Sequence, residues 1–461
     1  MTTLVLTTQL MGELEQAARS DVEVAGVLLV RIVEAPDGNR RLLGRRIRWV
    51  PEQEYIEQAA YGLVIRSTGY VDALAEAERN CETAIWFHTH PGCDGIPTPS
   101  KHDFEVDEQI SELFRIRTGS PYYGTLIISP RLNGCAFSGS VHHEELGAEP
   151  IERLWIVGDR WRFYRAFNSE TGDLDPIFDR NVRAFGPAIQ QTLSELRVAI
   201  VGCGGTGSSV AEQLVRLGVR NFTLIDSDTV SGSNVTRLYG STMGDVGEPK
   251  AEVVGRNLVK IATGVNYRSV QGMITMRAVA LQLTSSDLVF GCTDDNAGRL
   301  VLSRLATYLL TPVIDMGVLL SSEVDGTLTD INGRVTTLCP GTACLVCRNR
   351  VDLKRAASEL MTPDERRRLE DEGYAPALGH TEPAVVSFTT AVAATAVAEM
   401  LERFIGYGPE PRPSEVLLRF HEREVSTNVM ESRQRHYCHP AADKLGWGSG
   451  EPFLEQTWPE V

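Results

Sequence analysis

The stretch Val198-Ala-Ile-Val-Gly202-Cys-Gly204-Gly205-Thr-Gly207 constrains the fold more than any other part of this 461-residue chain. Four apolar residues in a row read as a buried strand. Gly202, Gly204 and Gly207 follow at once as GxGxxG, and residues 208–217 have helical spacing. A glycine loop between strand and helix lets backbone N–H groups reach phosphate oxygens at the helix N-terminus. Phe222-Thr-Leu-Ile-Asp226, Asp287-Leu-Val-Phe-Gly-Cys and Pro312-Val-Ile-Asp-Met read as later strands of the same sheet. This alternation predicts an α/β fold with a Rossmann-like, doubly wound parallel sheet. Asp226 falls at the end of the second strand, where a carboxylate meets a nucleotide ribose.

The loop and Asp226 suit NAD as well as ATP. Ser233-Asn234-Val-Thr-Arg237 and Lys250 add an amide and two cations to the same crevice. A hydride-transfer site has little use for them. A departing pyrophosphate does, because negative charge grows on it during attack. Asp294, after Phe290-Gly-Cys-Thr, suits Mg²⁺ bridging the phosphates. Cys203 and Cys292, inside these motifs, read as small buried fillers.

A second chemistry lies upstream. Thr83-Ala-Ile-Trp-Phe-His88 reads as a strand leading into His88-Thr-His90-Pro91, and Pro99-Ser100-Lys-His-Asp103 reads as a helix start capped by Ser100. Residues two apart on an extended segment point to one side, so His88 and His90 can share an ion with Asp103. Zinc hydrolases use three protein ligands and lower the pKa of the metal's water to about 7. Glu23, before the apolar run Val-Ala-Gly-Val-Leu-Leu, is the candidate to carry the proton, and Ser100 a candidate hydrogen-bond donor to a developing oxyanion. His102 reads as an exposed helix residue, His142 and His143 as solvated.

The segment from Glu23 to Asp103 resembles a JAMM (JAB/MPN+) metalloprotease: Glu before a glycine-containing strand, HxHP, then PSxxD. The resemblance implies His88, His90 and Asp103 as zinc ligands, Glu23 as acid/base and Ser100 as oxyanion helper. It also implies cleavage after a ubiquitin-like C-terminus. The stretch from Gly92 to Thr98 is longer than usual, so either Cys93 or Asp94 approaches the metal or the loop is simply longer.

Residues 178–440 resemble the ThiF/MoeB family and the adenylation domains of ubiquitin-activating enzymes. The matches are GxGGxG with Gly205, Asp226, SNxxR, Lys250 and CTD. That resemblance implies ATP- and Mg²⁺-dependent adenylation of a C-terminal Gly carboxylate. It also implies a homodimer in which Arg180, or Arg183 as the alternative, reaches the triphosphate from the partner subunit. Cys344-Leu-Val-Cys347 resembles the first half of the family's structural zinc site. The second CxxC is missing, so either Cys438 completes it with His436 or His439, with Cys339 a weaker candidate, or the thiols are free. The stretch Asp371 to Pro383, where thioester-forming relatives carry a cysteine, has none, so the adenylate is expected to pass to an outside nucleophile.

The expected organisation is a JAB/MPN-like α/β peptidase domain at 1–165, a turn-rich linker at 166–177, a Rossmann-like adenylation domain at 178–440 and a tail at 441–461. The charged stretch 353–373 is expected to be solvated, and residues 385–404 a buried helix. The formal charge of −16 opposes broad nucleic-acid binding. No apolar run is long enough to span a membrane, the start lacks a secretory pattern, and nine scattered cysteines suit a reducing, cytoplasmic setting. The reading is a bifunctional enzyme of a prokaryotic ubiquitin-like pathway, with a conjugating-enzyme-like protein as a further partner. The alternatives are a peptide- or sulfur-carrier-adenylating enzyme, a vestigial scaffold and an NAD oxidoreductase.

Overall fold

The structure is a computed structural model that describes residues 1–93, 95–132, 134–166, 175–323, 328–361, 363–371 and 384–459. The chain forms two compact units, Met1–Gly172 with Gly446–Gly448, and Asp173–Leu445 with Ser449–Val461.

The first unit is built on strands β1 (Thr2–Thr7), β2 (Ala25–Glu34), β3 (Arg40–Trp49), β6 (Thr83–Thr89), β7 (Tyr122–Arg131), β8 (Gly134–His143), β9 (Gly147–Val157) and β10 (Arg162–Arg165). A separate hairpin, β4 (Tyr55–Ala59) with β5 (Gly62–Ile65), stands outside the main sheet. The sheet order is β1-β3-β2-β6-β7-β8-β9-β10, and β1 also pairs with β9, so the sheet closes like a barrel. Closure was not legible beforehand, because it joins Thr2–Thr7 to residues about 150 positions away. Strands β9 and β10 are separated by a bend at residues 158–160. Alternating strand residues feed two cores. Helix α1 (Thr8–Ala18) buries Leu10, Met11 and Leu14 in one; α2 (Val71–Asn80) and α3 (Lys101–Thr118) cover the other with Leu74, Ala77, Ile110 and Phe114.

The second unit begins with α4 (Asp179–Phe185) and α5 (Pro187–Glu195). Its sheet consists of β11 (Arg197–Val201), β12 (Asn221–Asp226), β13 (Asn266–Gln271), β14 (Leu288–Gly291), β15 (Val313–Ser322), β16 (Leu328–Leu338), β17 (Glu415–Arg419) and β18 (Glu424–Asn428). The order β13-β12-β11-β14-β15-β16-β17-β18 is parallel from β13 to β15 and antiparallel beyond. The helices are α6 (Gly205–Leu217), α7 (Lys250–Ile261), α8 (Arg277–Ala280), α9 (Asn296–Tyr308), α10 (Leu353–Glu359), α11 (Pro363–Asp371) and α12 (Val386–Ile405). The strand order reverses direction on either side of β11, which places a ligand crevice beyond the carboxyl ends of β11 and β14.

Two expectations need correction. The stretch after 352 is not wholly solvated: Ala356 and Ser358 are buried, and Glu359 accepts the Ala297 N–H at 2.8 Å, which fastens α10 to the start of α9. His142 is half-buried and bonded to Ser140, while His143 accepts the Glu145 N–H. Residues 372–383, which hold most of the cysteine-free stretch, lie outside the described residues, as do Asp94 and residues 167–174 of the expected linker. No helix among the described residues is long and apolar enough to cross a membrane.

Candidate functional site

Ladder pairing and one helix cap assemble the first site. β2 and β6 pair antiparallel with Ala25 opposite His88. The Val24 N–H donates to Thr89 Oγ1 and the Thr89 N–H to the Val24 carbonyl, both at 2.9 Å. From the other side the Glu23 N–H donates to the Ala59 carbonyl at 2.8 Å, and Gln58 Nε2 donates to the Glu23 carbonyl at 2.9 Å. Gln58 had no sequence signal, because its role depends on the hairpin folding back.

At the head of α3 a capping box forms: Ser100 Oγ accepts the Asp103 N–H at 3.2 Å, and Asp103 Oδ2 accepts the Ser100 N–H at 2.6 Å. That leaves Asp103 Oδ1 3.3 Å from His88 Nε2. The His88 and His90 Nε2 atoms are 3.0 Å apart, and Glu23 Oε1 is 3.9 Å from His90 Nε2. The donor atoms of His88, His90 and Asp103 all lie within 4.8 Å of one another.

Two imidazole nitrogens face each other beside a carboxylate, and this set fits one divalent zinc ion. Ser100 is exposed, and its oxygen is already engaged as the helix cap. Its O–H remains able to donate. Cys93 turns to its own loop, with Sγ on the Gly95 carbonyl, and does not join the set. A groove of about 340 Å³ lined by Ser20, Asp21, Ala60, Pro91, Gly92 and Pro130 adjoins the HxHP segment.

Burial pushes the Glu23 carboxyl up to about 7, with His88 opposing and Asp103 assisting. Burial also works to raise Asp103, but its hydrogen bonds with His88 and Ser100 hold it well below the usual carboxylate range. Burial, then the neighbouring His88, lowers His90. The site therefore sets two imidazoles and a carboxylate beside a carboxyl that titrates near neutrality.

In the second unit the glycine loop is tight below and open above. A side chain at Gly207 would collide with the Gly202 carbonyl, and Gly202 itself has φ +93 with Cys292 O only 2.6 Å from a would-be Cβ. A Cβ at Gly204 would meet nothing within 4 Å, which leaves room over the loop. Arg237 lies against Gly205, its Cγ and Cδ 3.2 Å from a Cβ position there. Asp226 accepts the Cys203 N–H at 2.6 Å and the Asp228 N–H at 2.8 Å, so it shapes the loop. Burial raises its pKa.

Lys250, at the start of α7, is bonded to Asp228 at 2.7 Å. Asn234 Oδ1 accepts the Ser231 N–H at 3.1 Å, which turns the SNxxR loop. Asp295 is the N-cap of α9, which leaves Asp294 as the exposed carboxylate of the pair. Arg183 is paired with Asp179 at 3.0 Å. Arg180 is exposed and makes no bond to the crevice residues among the described residues. Cys203 is fully buried, and burial raises the thiols of both Cys203 and Cys292.

The second cysteine group brings together Cys344, Cys347 and Cys438, as expected from the sequence, with one histidine. His436 joins them, with all four donor atoms within 4.8 Å. His436 Nδ1 is 3.2 Å from Cys438 Sγ and 3.5 Å from Cys344 Sγ. Ser303 of α9 ties the two halves, since its Oγ accepts both the Leu345 N–H and the Tyr437 O–H. A hydrogen bond from Cys438 leads the causes that push the Cys344 thiol down, so one thiolate is favoured. His439 caps the turn at Ala441 instead, and Cys339 is buried outside the group. Three sulfurs and one imidazole fit a structural zinc ion.

Comparison with known proteins bears on the second unit. The ThiF family model matches residues 178–440. Escherichia coli molybdopterin-synthase adenylyltransferase is 31% identical over 37% of this chain and 65% of its own length. The E. coli sulfur carrier protein ThiS adenylyltransferase is 32% identical over 27% and 50%. Arabidopsis thaliana ubiquitin-like modifier-activating enzyme 5 is 30% identical over 34% and 38%. The chain thus spans less than two thirds of the length of each of these curated relatives.

Proposed function

The chain belongs to the ThiF family, and from that premise we propose that it is a bifunctional enzyme of a ubiquitin-like or sulfur-carrier pathway. Residues 178–440 would adenylate the C-terminal carboxylate of a small carrier protein or peptide. Residues 1–165 would form a JAMM-type zinc peptidase acting on the same class of substrate, joined by a linker at 166–177 and followed by a tail at 441–461. Family membership argues against the NAD oxidoreductase alternative, and the two well-formed polar sites argue against a vestigial scaffold.

ATP would supply the phosphoanhydride that turns a carboxylate into an acyl adenylate, with Mg²⁺ offsetting its charge. Backbone N–H groups of Gly202, Gly204, Gly205 and Gly207 would hold phosphate oxygens. Asp226 would hold the ribose, Asn234 would shape the neighbouring loop, and Asp294 would take the magnesium. Arg237 already covers the loop at Gly205. Lys250 would exchange Asp228 for phosphate, and Arg180 would enter across a homodimer, since Arg183 is held by Asp179. No cysteine occurs between Cys347 and Cys438, so the adenylate would pass to an outside thiol such as that of a conjugating-enzyme-like protein.

In the first unit zinc would supply an activated water and polarise the scissile carbonyl. His88, His90 and Asp103 would hold the metal, Glu23 would take and return the proton, and Ser100 would donate to the carbonyl oxygen. The observation that carries this half is the convergence of His88, His90 and Asp103 with Glu23 at 3.9 Å from His90.

The deciding experiment has two arms. Pyrophosphate exchange into ATP should require a protein or peptide ending in Gly, and the preferred acceptor separates carrier protein from free peptide. Cleavage of the same carrier extended beyond its terminal Gly should require zinc and His88. Exchange driven by neither substrate, or zinc-independent cleavage, would refute the corresponding half.

A further inference from the structure

On β15, between β14 and β16 of the second sheet, two guanidiniums meet one carboxylate. Asp315 of β15 is fully buried and pairs with Gly291, which immediately precedes the loop bearing Asp294. Asp315 Oδ2 accepts from Arg334 Nη2 at 2.6 Å. Its Oδ1 faces Arg299 Nε at 3.5 Å, and neither atom makes a hydrogen bond among the described residues. Arg299 stands on the first turn of α9, the helix that the Asp294 loop leads into. Its Nη2 would lie 3.0 Å from a Cβ at position 317, so the glycine there lets the guanidinium rest close against the strand.

The excess of positive charge extends across β16 to β17. Glu415 takes a two-point ion pair from Arg350, with bonds of 2.9 and 2.8 Å, and Arg348 is bonded to Ser414 beside it. The charges that act on Arg334 include Asp315, Arg299, Arg350 and Glu415, and burial lowers the affinity of Arg334 for its proton. Asp315 and Glu415 are thus outnumbered by Arg299, Arg334, Arg348 and Arg350. A buried guanidinium whose donors are incompletely matched is costly, and a second carboxylate is its natural complement.

We propose that Arg299 receives the C-terminal carboxylate of the substrate chain beside Asp294, and that Asp315 is the positioning residue that orients it. This rests on the adenylation reading. One carboxylate oxygen would stay on the guanidinium fork while the other forms the bond to the α-phosphorus and pyrophosphate leaves with the electrons of the broken P–O bond. The ligand class is therefore a main-chain carboxylate, as opposed to an acidic side chain or an internal peptide.

The test uses the full chain with Mg²⁺ and a non-hydrolysable ATP analogue, and a fluorescent ten-residue peptide ending in Gly-Gly, as free acid and as amide. The wild type should bind the acid about tenfold or more tighter than the amide, about 1.4 kcal/mol. Arg299→Gln should remove that preference, and Arg299→Lys, which keeps charge but loses the fork, should retain only part of it. Equal binding of acid and amide by the wild type, or an undiminished preference in Arg299→Gln, overturns the proposal. Loss of analogue binding in both variants also overturns it, because Arg299 would then serve the fold or the nucleotide. Failure of the wild type to bind the analogue at all would instead sink the adenylation reading.

Discussion

The His88–His90–Asp103 group and the Cys344–Cys347–His436–Cys438 group each draw their donor atoms within 4.8 Å, yet their surroundings differ. The first has three donors, and its fourth neighbour is an acid, Glu23, whose backbone is bonded to Gln58 and Ala59 of the β4–β5 hairpin and whose neighbour Val24 is bonded to Thr89. It also adjoins a groove. The second has four donors, its three cysteines are buried, and Ser303 clamps its two halves. Three ligands beside an acid leave a place for water; four ligands close a metal off from it. On the proposed reading, the identity of the fourth neighbour, more than the number of histidines, would separate a reactive centre from a staple.

The contrast can be broken in four places. The largest effect is expected from Cys347→Ser. It should lose one metal equivalent and several kcal/mol of unfolding stability, because a four-ligand ion would tie residues 344–347 to 436–438 and its binding energy would be folding energy. Calorimetry with metal analysis reads both, and an unchanged melting point would mean the thiols are free. His88→Ala should lose the other metal equivalent and all peptidase activity while costing only about 1–2 kcal/mol of stability. A collapse as severe as that of Cys347→Ser would erase the distinction. Glu23→Gln should keep both metals and lower cleavage by about 10²–10⁴-fold; if it releases metal, Glu23 is a ligand and the first site is closed too. The smallest effect belongs to His439→Ala, within about 0.5 kcal/mol and with full metal content. Loss of metal in that variant would replace His436 by His439 as fourth ligand.

Much of both sites was legible because the signals were local. Ser100 and Asp103 are three apart, and a capping box needs only that spacing to turn the carboxylate toward the strand end. Gly202 and Gly207 were readable for the same reason, since their tightness is set within one strand–turn–helix unit. His436 was not singled out from His439, because the choice depends on which imidazole a turn directs inward 92 residues after Cys344. The Lys250–Asp228 pair and the Arg299–Asp315–Arg334 group were missed, since each joins side chains from separate elements.

The order of residues along the chain was enough to specify the parallel α/β core, the glycine loop and the histidine–aspartate spacing, because these depend on periodicity and on contacts a few residues long. Only the folded chain decided the closure of the first sheet through β1 and β9, the clamp on Glu23 and the choice of His436. Those outcomes depend on pairing between distant segments, whose geometry is set by competition among many burial and hydrogen-bond terms and leaves no short-range trace.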